Sequence, residues 1–522
     1  MIADTLIENV LIADGSGTPA QYGAVLVHHG VIADVIYHKE RMGAFPAAER
    51  INGRELMLAP GFIDAHGHSD LSLLAAPEAI GKISQGITTE IAGNCGLSPF
   101  PITDNNREHL EKLWQGYGEK LTWHDYRSYR QALLKRNPAI NLYVQCGHNT
   151  LRAAVAGYET RQLSSEQLST MKLMLLEMMQ QGAIGFSTGL LYTPGLFSDE
   201  NELVELLKVT APFLRVYTTH LRSEGNKLIE AVTESIRLCR NSGQRYLHLS
   251  HLKTAGLSNH SKINQLLKLI DDTNLSGCPV ITADRYPYIE SLTQLSVALP
   301  SPFDELDDIS LQMLLEDPGK FNEVVSALEQ MDEQRLLNIR LVSTNSPQYR
   351  KFVGLKIMEI SNITIKSGAW IVADILRQDA PGTMAAFSGM NKDNMLRILQ
   401  QNYVTCGTDE SARPKDFSLG VSHPRGFGSI ANFIKYLCAE DTCSIEEAIA
   451  RITSLPARIF NLANRGKIAP DMAADLVLFQ PDRLQSNATF SSPHELTSGI
   501  DTVWVNGKIR YSNQQIIEST EL

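Results

Sequence analysis

Two histidines one residue apart close an apolar run in GFIDAHGHSD (61–70). Positions i and i+2 of a strand point to the same face, so His66 and His68 can approach one ion. Imidazole suits zinc and similar borderline metals. Cys95 closes a second run, ITTEIAGNCG (87–96), among glycines that leave its sulfur unhindered. A thiolate is a soft, anionic ligand that binds zinc firmly or bridges two ions. His220 ends VYTTHLR (216–222) and His251 lies in LHLSHLK (247–253). With Cys95 they supply three protein ligands and leave a position for water, the arrangement of catalytic zinc. His248 is farther from the strand end than His251 and reads as an orienting or core histidine. His148, in CGHN, has an orienting role at most. Asp409, in VTCGTDES (404–411), offers a carboxylate that can take a proton from water and return it to a leaving amine. It also suits a helix N-cap. Asp284 is a rival base, but its neighbour Arg285 favours a structural ion pair. Tyr192, Lys253, Tyr286, Tyr288 and Arg425 gather near the same strand ends. Arginine binds a carboxylate through two parallel hydrogen bonds and lysine adds a point charge. Lys253, Tyr286 and Arg425 would therefore suit a small carboxylate-bearing substrate. Each residue has a plainer reading alone, as a surface histidine, a buried cysteine or a solvated cation. Their recurrence at strand ends weighs against it.

The elements that must position them form a repeating pattern. Apolar runs at 61–70, 87–96, 140–149, 183–192, 216–222, 247–253, 280–288 and 404–411 alternate with segments of helical periodicity such as 164–182 and 226–243. Strand and helix alternating eight times predict an α/β fold, a TIM-like (β/α)8 barrel, whose reactive residues lie at the carboxyl ends of the strands. The gap between strands seven and eight is too long for one helix, so an inserted small subdomain is expected at 294–350. The two chain ends share alternating apolar residues and glycine turns. They are expected to pair into one small β-sandwich domain, from 1–60 and 461–522, around barrel segments 61–293 and 351–460.

The 522 residues are 43% hydrophobic and 20% charged, with a formal net charge of −11. That balance leaves no electrostatic footprint for nucleic acid or an anionic membrane. It also means that selectivity for an anion must come from local cations. No run approaches the roughly 20 apolar residues of a membrane span, and the acidic N-terminus does not read as a signal peptide. Seven scattered cysteines suit a reduced, cytoplasmic protein. The expected partner is a small molecule, and a homo-oligomer is compatible with the sequence.

Taken in order, LAPGFIDAHGHSD, GITTEIAGNCG, GFSTGLLYTPG, THLRSEG, SHLK, DRYPY, GTDES and HPRGFG resemble the amidohydrolase superfamily. The closer resemblance is to its D-aminoacylase (N-acyl-D-amino-acid deacylase) branch, and it covers nearly the whole chain. The cysteine stands in for the modified lysine that related amidohydrolases carry at the end of strand four. APDMAADLVLF and VNGKIRY look like the sheet domain beside the barrel. The resemblance implies one Zn2+ held tightly by Cys95, His220 and His251, with His66 and His68 as a second, weaker position. It implies Asp409 as general acid and base and Tyr192 facing the developing oxyanion. Lys253, Tyr286 and Arg425 would hold the substrate α-carboxylate, with a hydroxyl from Ser291 or Thr293. The implied reaction is zinc-dependent hydrolysis of N-acyl-D-amino acids to a carboxylate and a free D-amino acid. Leu252, where the family often has a second histidine, IESLTQL after the YPY motif, and GTDES for the usual GSDG all bear on acyl and side-chain preference. The alternatives are a cyclic-amide hydrolase of the dihydroorotase or hydantoinase type, and a hydrolase of N-carbamoyl-D-amino acids or D-residue dipeptides. A non-catalytic scaffold is disfavoured because the ligand set is whole.

Overall fold

The computed structural model describes residues 3–37, 45–331, 333–439 and 442–517. Eight parallel strands form the barrel: Phe62–Asp64, Ile87–Ala92, Asn141–Val144, Gly185–Gly189, Val216–His220, Tyr246–Leu249, Val280–Asp284 and Val404–Thr405, here barrel strands 1 to 8. Strands 1, 2 and 3 pair in order, and strands 4 to 8 pair in order. Cys146–Gly147, just beyond strand 3, pairs with strand 4 and joins the two halves. Strand 8 returns to strand 1 through Ala65 N donating to Cys406 O at 3.1 Å and a parallel bridge between Gly67 and Glu410.

The surrounding helices carry their own start and stop signals. Ser165–Gln181 begins with a reciprocal cap between Ser164 and Gln167 and ends at Gly182, whose φ is 118°. Leu228–Ser242 buries Leu228, Val232, Ile236 and Cys239, a stripe repeating every three to four residues against the strands. At the amino end of the barrel, Phe460 and Leu462 beyond helix Ser454–Ile459 pack with Ile63, Ile91, Ile184 and Val216. That end is closed by apolar side chains, which leaves the carboxyl end for chemistry.

Strands from both chain ends hydrogen-bond into one nine-stranded sheet. Met57–Pro60 joins the halves, pairing parallel with Ala3–Ile12 and antiparallel with Leu476–Phe479. Ile7, Val25, Leu58, Leu476 and Trp504 form a core within it. No described helix is long and apolar enough to cross a membrane.

The insert after strand 7 is longer than the sequence pattern indicates. Ser291–Gln294 and Met384–Phe387 pair antiparallel at its base, and Arg340–Ser343 completes a three-stranded sheet. Helices Ile357–Thr364 and Gly368–Asp379 bury Ile357, Ile360, Ile371 and Ile375 in the same core as Leu295, Leu311 and Leu328. Each such fully buried side chain contributes about 1.5–3 kcal/mol. That shared core places the end of the insert near residue 387 rather than 350. The segment after 350 does not return at once to the barrel.

Candidate active site

The loops at the carboxyl end of the barrel are tied before any side chain enters the site. Asp64 Oδ1 accepts from His66 N at 3.2 Å and from Thr408 N at 2.8 Å. Asp409 N donates to His66 O at 2.7 Å, and His68 N to Glu410 O at 3.1 Å. The turn after strand 1 and the turn after strand 8 are thus one unit. Three site residues, none of them glycine, hold left-handed backbone: Cys95 at φ 51°, His251 at φ 35° and Asp409 at φ 52°. Such conformations cost about 1–3 kcal/mol each and persist where the surroundings over-determine them, commonly at functional sites. Two glycines permit the close approach. A Cβ at Gly189 would lie 2.0 Å from Cys95 O, and one at Gly407 would lie 2.5 Å from His66 Cβ.

Ligand atoms of His66, Cys95, His251 and Asp409 all lie within 4.8 Å of one another, as do those of His220, Glu224 and His251. Cys95 Sγ is 3.5 Å from His66 Nε2 and 3.4 Å from His251 Nε2. The far side of each ring faces a carboxylate: His66 Nδ1 is 3.1 Å from Asp284 Oδ2, and His251 Nδ1 is 2.9 Å from Glu224 Oε1. A carboxylate behind an imidazole fixes its tautomer and raises its basicity, as in many metal sites. His68 Nε2 lies 3.1 Å from Asp409 Oδ1. His220 is buried, and among the described residues neither of its ring nitrogens has a hydrogen-bond partner; Nε2 lies 3.7 Å from Glu224 Oε2.

The electrostatics favour positive charge at the centre. Burial opposes protonation of His68 and His251, yet Asp409 and Cys95 beside the first raise it to about 10. For His251, burial and Lys253 are outweighed by Glu224, Asp409 and Cys95, and its pKa rises to about 9. Burial pushes the Cys95 thiol up, but His66 and His251 hold it well below its ordinary value, which favours the thiolate form. Asp409 is likewise held well below the carboxylate range against burial, chiefly by Arg425 and His251.

Asp409 starts no helix, since the next one is Arg425–Leu437, so the N-cap reading is excluded. Asp284 does not pair with Arg285. Its carboxylate serves His66, His248 Nε2 at 3.0 Å and the backbone N of His251 at 2.9 Å. Arg285 instead stacks over the Tyr286 ring at 4.1 Å and donates to Tyr288 O. His248 is buried with its other nitrogen on Thr282. His148 pairs with Glu202 at 2.7 Å, outside this cluster.

A cavity of about 1700 Å³ opens over the cluster, lined in part by Tyr192, Lys253, Tyr286, Ser291, Thr293 and Arg425. Lys253 Nζ lies 2.5 Å from Glu224 Oε1, and Arg425 Nη1 lies 2.8 Å from Asp409 Oδ2. Among the described residues, the buried Tyr286 hydroxyl and Arg425 Nε have no hydrogen-bond partner. Tyr192 shares a 3.0 Å hydrogen bond with Thr293, and its ring lies 4.9 Å from that of His220. Ser291 Oγ donates to Phe387 O at 3.5 Å. Glu224 is the group that sequence reasoning passed over. It lies in THLRSEG, in the loop just beyond strand 5.

The profile of the amidohydrolase family matches residues 49–233 and 404–511. The N-acyl-D-glutamate deacylase of Alcaligenes xylosoxydans xylosoxydans is 32% identical over 97% of this chain and 93% of its own. The crystal structure of an N-acyl-D-glutamate deacylase from Bordetella bronchiseptica, complexed with zinc and a phosphonate inhibitor, superposes with a TM-score of 0.82 at 30% identity. It covers 98% of this chain and 97% of that one. A D-aminoacylase structure with a binuclear metal centre gives a TM-score of 0.81 at 28% identity, covering 99% and 98%.

Proposed function

This chain belongs to the amidohydrolase family, and from that premise we infer that it is a metal-dependent hydrolase of N-acyl-D-amino acids. The observation that carries the reading is the convergence of Cys95, His66, His68, His220, His251 and Asp409 at the open end of the barrel. The donor set fits a metal. A thiolate stands among imidazoles, two of which are backed by carboxylates, and among the described residues neither nitrogen of buried His220 is hydrogen-bonded, its Nε2 lying 3.7 Å from Glu224 Oε2. The anions that keep protons on His68 and His251 would equally favour a cation in their place. Cys95, His220 and His251 would hold a zinc ion, with His66 and His68 forming a second, weaker position. When bound, zinc supplies Lewis acidity, polarising the amide carbonyl and making water nucleophilic near neutral pH.

The chain's own residues do the rest. Asp409 takes the proton of the attacking water and delivers it to the amide nitrogen as the carbon–nitrogen bond breaks. Arg425, at 2.8 Å, keeps that carboxylate charged before it takes the proton and restores the charge once the proton has gone to the nitrogen. Tyr192 turns its hydroxyl from Thr293 to the charge that builds on the carbonyl oxygen. Lys253, the unpartnered hydroxyl of Tyr286 and Arg425 Nε receive the substrate α-carboxylate, with Thr293 or Ser291 beside them. The products are a carboxylic acid and a free D-amino acid. The hand of the amino acid rests on the relatives, which are deacylases of D substrates by name. A reducing, cytoplasmic setting suits a site that needs a free Cys95 thiolate.

The test is amine release by zinc-loaded protein from paired N-acetyl-D- and N-acetyl-L-amino acids, with hydantoins as a cyclic control. Release from D substrates alone is expected. Release only from L substrates, or only from hydantoins, would overturn the assignment.

A further inference from the structure

The cavity is larger than an N-acetyl amino acid needs. Small-molecule pockets typically occupy about 300–1,000 Å³, against about 1700 Å³ here. Its walls also differ in chemistry. Lys253 and Tyr286 follow barrel strands 6 and 7, and Ser291 and Thr293 lie just beyond them. Across the cluster, Leu97 follows strand 2, while Leu113, Trp114 and Tyr117 come from helix Asp104–Leu113 and the turn after it. In an eight-stranded barrel, strands 2 and 6 are four apart and face each other across the mouth.

We propose that the wall formed by Leu97, Leu113, Trp114 and Tyr117 is an acyl subsite that selects apolar acyl groups longer than acetyl. The proposal rests on the deacylase reading above. A secondary amide is planar and trans, so its acyl carbon and the amino-acid Cα leave on opposite sides of the bond. With the α-carboxylate held beyond strands 6 and 7 and the carbonyl at the metal-ligating side chains, the acyl chain points at this wall. The wall stays close to the reacting centre. The Tyr117 hydroxyl is 3.4 Å from Ser411 Oγ, two residues past Asp409, and Leu97 is two residues past Cys95. Leu97, Leu113 and Tyr117 rest on the barrel core and are only partly buried, so apolar surface remains facing the cavity.

Nearby charges are already engaged. The Arg413 guanidinium donates to Leu419 O and lies over the Tyr117 ring at 5.6 Å. His109 stacks on Tyr158 at 3.6 Å with Asp307 Oδ1 3.7 Å from its Nδ1, and burial outweighs that carboxylate and pushes its pKa down to about 4. An acyl group therefore meets hydrocarbon and aromatic faces there. Each methylene that leaves water is expected to raise kcat/KM about fourfold.

The experiment compares N-acetyl, N-butyryl and N-hexanoyl derivatives of one D-amino acid on zinc-loaded protein. A rise in kcat/KM of at least tenfold from acetyl to hexanoyl is expected. Tyr117→Ala and Leu113→Ser, both at partly exposed positions, should each lower the hexanoyl-to-acetyl ratio at least fivefold with zinc content unchanged. A flat or falling series, or a ratio that neither substitution moves, overturns the subsite while leaving the deacylase reading intact. No turnover of any member overturns that reading and the subsite with it.

Discussion

Cys95 and Asp409 stand within one cluster, but the proposed mechanism gives them different steps, and substitution separates them. Cys95→Ala removes the only thiolate of the donor set, so zinc content by elemental analysis and turnover should fall together. Asp409→Asn keeps its shape and its place beside His68 and Arg425. It should retain zinc while kcat drops about 10²–10⁴-fold, the usual worth of a positioned acid and base. Normal turnover in Asp409→Asn would remove it from the mechanism. Asp284 stands behind the candidate ligands: its carboxylate meets His66 and His248 and receives the backbone N–H of His251. Asp284→Asn should weaken zinc binding about 10–100-fold in a chelator competition. An unchanged affinity would make it purely structural. The candidate ligands were legible because a metal needs imidazole, thiolate or carboxylate, and these types recur where apolar runs stop. Asp284 was misread from its neighbour. Adjacent residues on a strand point to opposite faces, so sequence proximity to Arg285 was evidence against a contact. Glu224 escaped because it lies in a loop, where no periodicity says which way a side chain turns.

At the scale of elements, the turns that carry the candidate ligands meet over a buried cation. Lys82, on the short helix Ile80–Ile83, is fully buried. Its Nζ lies 2.7 Å from Asp64 Oδ2, 3.0 Å from Glu90 Oε2, 2.7 Å from Thr408 Oγ1 and 2.8 Å from Glu410 O. It thereby joins strand 1, strand 2 and the turn after strand 8, where the barrel closes. Removing one partner of a buried ionic group leaves uncompensated charge and costs about 3–5 kcal/mol. Lys82→Met should lose that much in denaturant unfolding, and adding Glu90→Gln should recover part of it. A loss within about 0.5 kcal/mol would show that the network adds little. None of this was visible in the chain, because three segments distant in sequence must first be adjacent for their charges to meet. The barrel strands were visible, since strands buried on both faces are continuous apolar runs. The extent of the insert was not. Helices Ile357–Thr364 and Gly368–Asp379 have the same apolar stripe as barrel helices, and a stripe does not say which core it packs against.

The whole molecule sets the insert, with its own core, against a wall of the catalytic cavity, and that docking leaves a titratable group in an awkward place. Asp308 opens helix Asp308–Leu314 and lines the cavity beside Asp307. A helix start ordinarily favours a carboxylate. Here burial dominates, Asp307 and Asp379 add repulsion, a hydrogen bond from Ser296 offsets only part of it, and the pKa rises to about 7. An unfolded aspartic acid loses its proton near 4. Between about 4 and 7 the folded chain thus binds more protons at this site than the unfolded chain. Linkage then requires the contribution of Asp308 to stability to fall as pH rises through that window and to level off above it. Asparagine carries no such charge at any pH. The Tm of Asp308→Asn minus that of the natural chain should therefore grow from pH 4.5 to pH 8, whatever other groups do to both proteins. A difference that stays constant would mean that Asp308 titrates alike in the two states, and that the insert does not bury it against the cavity.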